Sequence, residues 1–208
     1  MKIIFTFIAL LFYLSNISAT TQTDSVALEN EYVKVMRHAT VGFSGNSGAF
    51  GTRVIVALTD TKISNNKRTK LLKRGEVAVF QSTEKYDIAK GDYFEVAFKK
   101  NHPVPKGPEE WIEPLKNTIV YEDGEMRIFE ELLEGGDTRA LHSHAQRVVV
   151  RLNEVQLTDP RLYPNGTPGG GIQIPNTVKF AEPIVHVVKN LSTIPLFNII
   201  IEFKTIKK

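Results

Sequence analysis

Past residue 25 the apolar positions recur with period two or in short solid runs, the pattern of strands buried on one or both faces. Such runs are Tyr32 to Val35, Arg53 to Leu58, Val77 to Phe80, Tyr93 to Phe98, Met126 to Phe129 and Arg147 to Leu152. Val178 to Phe180, Ile184 to Val188 and Phe197 to Phe203 continue the series. Turn-forming residues separate them, at Gly42 to Gly51, Ser64 to Asn66, Gly135-Gly136 and Asn165 to Gly171. No apolar stripe of helical period is sustained, and only Pro108 to Ile112 leaves room for a single helical turn. The pattern predicts an all-β chain of many short strands, a sandwich or barrel.

The order of the runs repeats. Glu29 to Val35 lines up with Glu122 to Ile128, Arg53 to Leu58 with Arg147 to Leu152, and Glu95 to Lys99 with Ile200 to Lys204. The offsets are 93, 94 and about 105, the drift expected where loops take insertions. Between the halves, Asn101 to Pro114 carries four prolines and several charges. The expected organisation is a β unit over 25–100, a proline-rich connector over 101–116 and a second β unit over 117–208.

Met1 to Ala19 contains 14 apolar residues and one charge, Lys2, and ends on Ser18-Ala19. This is the pattern of a secretory signal peptide, so a periplasmic or secreted protein is expected, with no membrane span after cleavage. The apolar run is interrupted at Ser15-Asn16, too early for a spanning helix. Without Lys2 there are 25 basic and 23 acidic residues. That near balance gives no electrostatic footprint for nucleic acid. The chain has no Cys, which excludes disulfides and thiolate metal ligands. Any metal must therefore sit on imidazole, carboxylate or amide groups.

Three of the five histidines are spaced for joint work. His142 and His144 stand two residues apart, on one face if the segment is a strand, and His186 lies within the apolar run Ile184 to Val188. A neutral imidazole on an apolar strand needs a polar partner, and a shared cation would supply one. Imidazole suits Zn, Cu, Fe and Ni. The competing reading is a satisfied polar cluster in a barrel that binds no metal. His38 and His102 have no partner in the pattern and are expected on the surface or in loops. Asn190 is expected to cap a turn, or alternatively to hold His186. The glycine-rich Asn165 to Gly171 lacks the Lys-Ser/Thr ending of a phosphate loop and reads as a hairpin loop. Trp111 reads as a connector anchor packed on a barrel, and Lys204 to Lys208 as a solvated tail.

Gly136-x5-His142-x-His144, followed by His186-x3-Asn190, resembles the two motifs of the cupin superfamily. With the duplicated pattern, the whole mature chain resembles a bicupin, two jelly-roll barrels of which the second carries the motifs. The resemblance implies a divalent metal (Fe, Zn, Mn, Ni or Cu) held by His142, His144 and His186, and a small-molecule ligand. It also makes a homodimer plausible. The family's usual glutamate is absent, since Ala145-Gln146-Arg147-Val148-Val149 has no carboxylate and Arg147 stands in its expected place. Pro183 also replaces a motif glycine.

Three-histidine sites occur in thiol dioxygenases, which are also cupins. Such a site leaves the charge of the ion uncompensated, and a nearby Arg147 would favour an anionic ligand, with Gln146 beside it as a further ligand contact. The alternative is an Arg147 that points outward, together with its counterpart Arg53 in the first unit, and solvates the barrel. In the first unit, Gly48, Phe50 and a position near Tyr86 stand where the histidines would be, so that unit is expected to be metal-free. Three readings remain open: a dioxygenase, isomerase or lyase; a non-catalytic binder of small molecules; or a metal-free structural β protein.

Overall fold

The computed structural model describes residues 23–45, 50–66, 68–113, 117–158 and 171–205. The expected signal peptide, Gly48, and all of the glycine-rich loop but Gly171 lie outside them. The first unit contains β1 (Thr23–Glu29), β2 (Val33–Gly45), β3 (Phe50–Ala57), β4 (Thr61–Asn65), β5 (Arg68–Leu72), β6 (Val77–Phe80) and β7 (Tyr86–Lys99). The second contains β8 (Thr118–Glu122), β9 (Met126–Leu133), β10 (Thr138–His144), β11 (Arg147–Arg151) and β12 (Val155–Thr158). It closes with β13 (Gly171–Gln173), β14 (Thr177–Ala181), β15 (Ile184–Asn190) and β16 (Leu196–Phe203). All pairings are antiparallel.

The duplication read from the sequence is present in the strand registers. The order β1-β2-β7-β3-β6 in the first unit matches β8-β9-β16-β11-β14 in the second. Val35 pairs with Val96, and Ile128, 93 residues on from Val35, pairs with Ile201. Arg53 pairs with Ala97, and Arg147 pairs with Glu202. The offsets of 93, 94 and 105 are therefore those of equivalent positions in two ladders.

The solid apolar runs belong to strands covered on both faces. Val54, Val56, Val96 and Phe98 join Ile128, Val148, Ile199, Ile201 and Phe203 in one core shared by the two units. The alternate residues face into their own barrel: Ile55, Ala57 and Tyr93 in the first, Phe129, Val149 and Ile200 in the second. Each unit thus presents one face of a sheet to its sister and curls the other around a private interior.

The units differ where their strands turn a corner. In the first, β2 and β7 run unbroken for 13 and 14 residues. Gly42, expected in a turn, instead lies within β2 at φ +83°. In the second, the same path is broken between β9 and β10 and again between β15 and β16, giving a separate four-stranded sheet β10-β15-β12-β13. Gly136, at φ +81°, makes the first break possible without steric cost. Asn190 stitches the two breaks together. Its Nδ2 donates to the Leu133 and Ile194 carbonyls, its Oδ1 accepts from Ser192 N, and it is fully buried. Asn190 therefore caps the turn.

No helical turn forms around Pro108 to Ile112; residues 101–113 of the connector run irregularly along the second barrel. Ile112 bonds to Ser143 in both directions, and Lys106 bonds to Gln146. Trp111 is exposed, beneath the guanidinium of Arg127 at 5.7 Å. Lys204, expected in a solvated tail, pairs with Glu122 at 2.8 Å.

Candidate metal centre

His142 and His186 are direct cross-strand partners on β10 and β15, and His144 lies two residues farther along β10 on the same face. Period-two geometry sends all three rings to one side of the four-stranded sheet. Ring centroids are 4.6 Å apart for His142 and His186, 4.8 Å for His142 and His144, and 5.6 Å for His144 and His186. One nitrogen from each ring falls within 4.8 Å of the others. His142 and His144 are each 1% exposed, whereas His186 is half-buried, so the cluster opens on the His186 side.

Hydrogen bonds set the rings. Nδ1 of His142 lies 2.8 Å from the Ala140 carbonyl, which can only accept, so that nitrogen carries the proton. The Nε2 lone pair of His142 is left buried with no hydrogen-bond partner among the described residues. Nδ1 of His144 is 3.0 Å from Oε2 of Glu202, which also accepts from Ala145 N, and Phe129 stacks on the same ring. Burial lowers the pKa of His142, and burial together with the charge of Arg147 holds that of His144 well below the usual imidazole value. Both rings are therefore neutral at pH 7, the form that ligates metal. Burial pushes the Glu202 carboxyl up to about 7, against the pull of Arg147.

The donor set fits a divalent cation. Three imidazoles converge, one has an unused buried lone pair, and the outer nitrogens of His142 and His144 are oriented by a carbonyl and a carboxylate, as metal-binding histidines require. Glu202 is the functional residue that sequence spacing missed. It lies 58 residues from His144 and becomes its neighbour only through the pairing of β11 with β16.

Arg147 is buried, as is its counterpart Arg53. The Arg147 guanidinium donates to the carbonyls of Ala145 and Glu182, so it does not solvate the outside of the barrel. The Gln146 side chain accepts from Lys106 N and donates to Glu182. Behind the histidines, Arg139 pairs with Glu131 at 3.4 Å, and Glu131 accepts from Asn198 at 2.9 Å. His38 overturns its expectation of a surface or loop position. It is buried in the first barrel between Asp24 and Glu95, a partnership invisible until β1 and β7 flank β2.

No family model matches the sequence, and no curated protein does. Solved structures do match. A cupin 2 conserved barrel domain protein from Leptotrichia buccalis is 11% identical with a TM-score of 0.56, covering 89% of this chain and 90% of its own. An IolB-like protein from Salmonella typhimurium is 8% identical with a TM-score of 0.56, covering 85% of each chain. A deletion mutant of Bacillus subtilis oxalate decarboxylase is 11% identical with a TM-score of 0.50, covering 88% of this chain and 72% of its own. At such identities the likeness is one of fold.

Proposed function

We propose that this cupin-fold chain is an exported protein that holds a divalent metal on His142, His144 and His186 and binds a small anionic organic molecule there. The convergence of three histidine nitrogens within 4.8 Å carries the reading. When bound, the ion would supply Lewis-acid or oxygen-activating chemistry with coordination positions left for a ligand. The chain's own residues do the rest. Ala140 and Glu202 fix the ring tautomers, and Phe129 shields His144 from water.

Preference for an anion follows from charge. Neutral imidazoles leave the ion uncompensated, and buried Arg147 adds a positive charge behind them. Because Arg147 Nη1 and Gln146 Nε2 already donate to protein groups, Arg147 favours an anion through its field, with Gln146 holding the connector against the site. The group of potential ligands among the described residues contains no carboxylate, which favours binding over turnover as the minimal activity. Titrating metal-loaded protein with small carboxylates and their amides tests the reading. Carboxylates should bind at least tenfold more tightly, and equal affinities would refute it.

Export rests on Met1 to Ala19, and N-terminal sequencing of secreted material would check cleavage after Ala19. A homodimer belongs to the same reading, because β13 ends its sheet and exposed Ile172 and Ile174 lie on and beside it. Sedimentation of the full chain checks that.

A further inference from the structure

The first barrel has no carboxylate directly across the ladder from its buried arginine. Arg147 has Glu202 directly across the ladder, whereas Arg53, at the equivalent place, has Ala97. Arg53 is 1% exposed. Its Nη2 donates to the Glu84 carbonyl at 2.8 Å, and its guanidinium lies over the Tyr86 ring at 4.7 Å. Its Nη1 comes no nearer than 3.9 Å to Oε1 of Glu95, beyond hydrogen-bond reach, and its Nε has no hydrogen-bond partner among the described residues.

Glu95 is not available to neutralise it fully. Its Oε1 accepts from the Tyr86 hydroxyl at 2.7 Å, and its Oε2 faces His38 Nε2 at 3.2 Å. Asp24 faces the other ring nitrogen of His38 at 2.9 Å. A buried guanidinium whose Nε–H is unmet, and whose nearest carboxylate is shared with His38 and Tyr86, is costly, and a group that met that N–H would recover the cost on binding.

There is room for such a group. A cavity of about 310 Å³ adjoins Arg53, with Met36, Phe43 and Ala97 as apolar wall and His38 and Glu95 as polar wall. That volume lies at the lower end of small-molecule sites. Ala97 keeps the space open where a glutamate at its counterpart fills the second barrel.

We infer that the first barrel is a second, metal-independent binding site for a small organic monocarboxylate, whose carboxylate meets Arg53 in the space left by Ala97 and whose hydrocarbon part packs on Met36 and Phe43. The nearby carboxylates of Glu95 and Asp24 disfavour a dianion, so a singly charged head is selected over a phosphate. An amide of the same shape brings no counter-charge. The site stands apart from the three histidines and does not rest on their binding a metal.

The test is calorimetric titration of the full chain in the presence of chelator, so that no metal in the second barrel contributes. The probes are butyrate and benzoate, each against its amide. One carboxylate per chain is expected to bind, at least tenfold more tightly than its amide. Ala97→Glu, which places a carboxylate across the ladder from Arg53 in the proposed binding space, should weaken that binding at least tenfold while the circular dichroism stays unchanged. Ala97→Leu, which fills the cavity without adding charge, should do the same and stands in if the glutamate variant does not fold. Amide binding equal to carboxylate binding, full binding in either folded variant, or no saturation by either carboxylate would overturn the inference.

Discussion

His144 and Glu202 meet at 3.0 Å inside the second barrel, with the imidazole Nδ1 against a carboxylate oxygen that also takes the Ala145 N–H. This contact leaves Nε2 as the nitrogen that His144 can turn toward a metal. Glu202→Gln keeps the shape but removes the carboxylate's charge. It should weaken metal affinity about 10–100-fold, read by competition with a chromogenic chelator, while leaving the fold intact. Unchanged affinity would show that the charge of Glu202 does not strengthen His144 as a ligand.

In the first barrel, burial works against charge on His38, but hydrogen bonds to Glu95 and Asp24 outweigh it and raise its pKa above 6.5. Burial likewise opposes ionisation of Glu95, but hydrogen bonds from His38 and Tyr86 prevail and lower its pKa below 4.5. The raised histidine contributes stability fully below pH 6.5, and that contribution fades as pH rises through the folded pKa. The lowered carboxyl contributes above pH 4.5 and fades as pH falls through its folded value. Stability from this pair should thus plateau between pH 4.5 and 6.5. In melts across pH 4 to 9, His38→Gln should flatten the decline on the alkaline side. A wild-type-like decline in that variant would assign the effect to other groups.

Asn190 satisfies three backbone groups at the corner between β15 and β16 and is fully buried. Asn190→Ala strands the Leu133 and Ile194 carbonyls and should cost about 3 kcal/mol in urea denaturation. A loss below about 1 kcal/mol would mean that the corner is held by other contacts.

Ile201 sits in the core shared by both units and is fully buried. Ile201→Ala should cost about 2–5 kcal/mol. Because that core belongs to both barrels, unfolding of the variant should remain a single transition seen by fluorescence and circular dichroism alike. Two separated transitions would show that the barrels fold independently.

What the chain reveals before folding follows from how local each signal is. Solid runs such as Arg53 to Leu58 and Arg147 to Leu152 mark strands covered on two faces, so the duplicated ladder was legible. His142 and His144 share a face through spacing alone, and His186 announced itself as a polar group on an apolar strand. Glu202 and the Glu131–Asn198 pair gave no such signal, because each meets its partner only across strands distant in sequence. The burial of His38 was hidden for the same reason, its carboxylates arriving from β1 and β7. The side to which Arg147 turns depends on carbonyls at Ala145 and Glu182 that no pattern encodes.

The central claim is that His142, His144 and His186 together hold a metal ion. Elemental analysis of protein purified without chelator or affinity nickel, set beside the His142→Ala/His144→Ala double variant, tests it most directly. The account predicts close to one divalent ion per chain in the parent protein and almost none in the folded variant. Equal metal content in the two samples, or none in either after dialysis against each candidate ion, would contradict it.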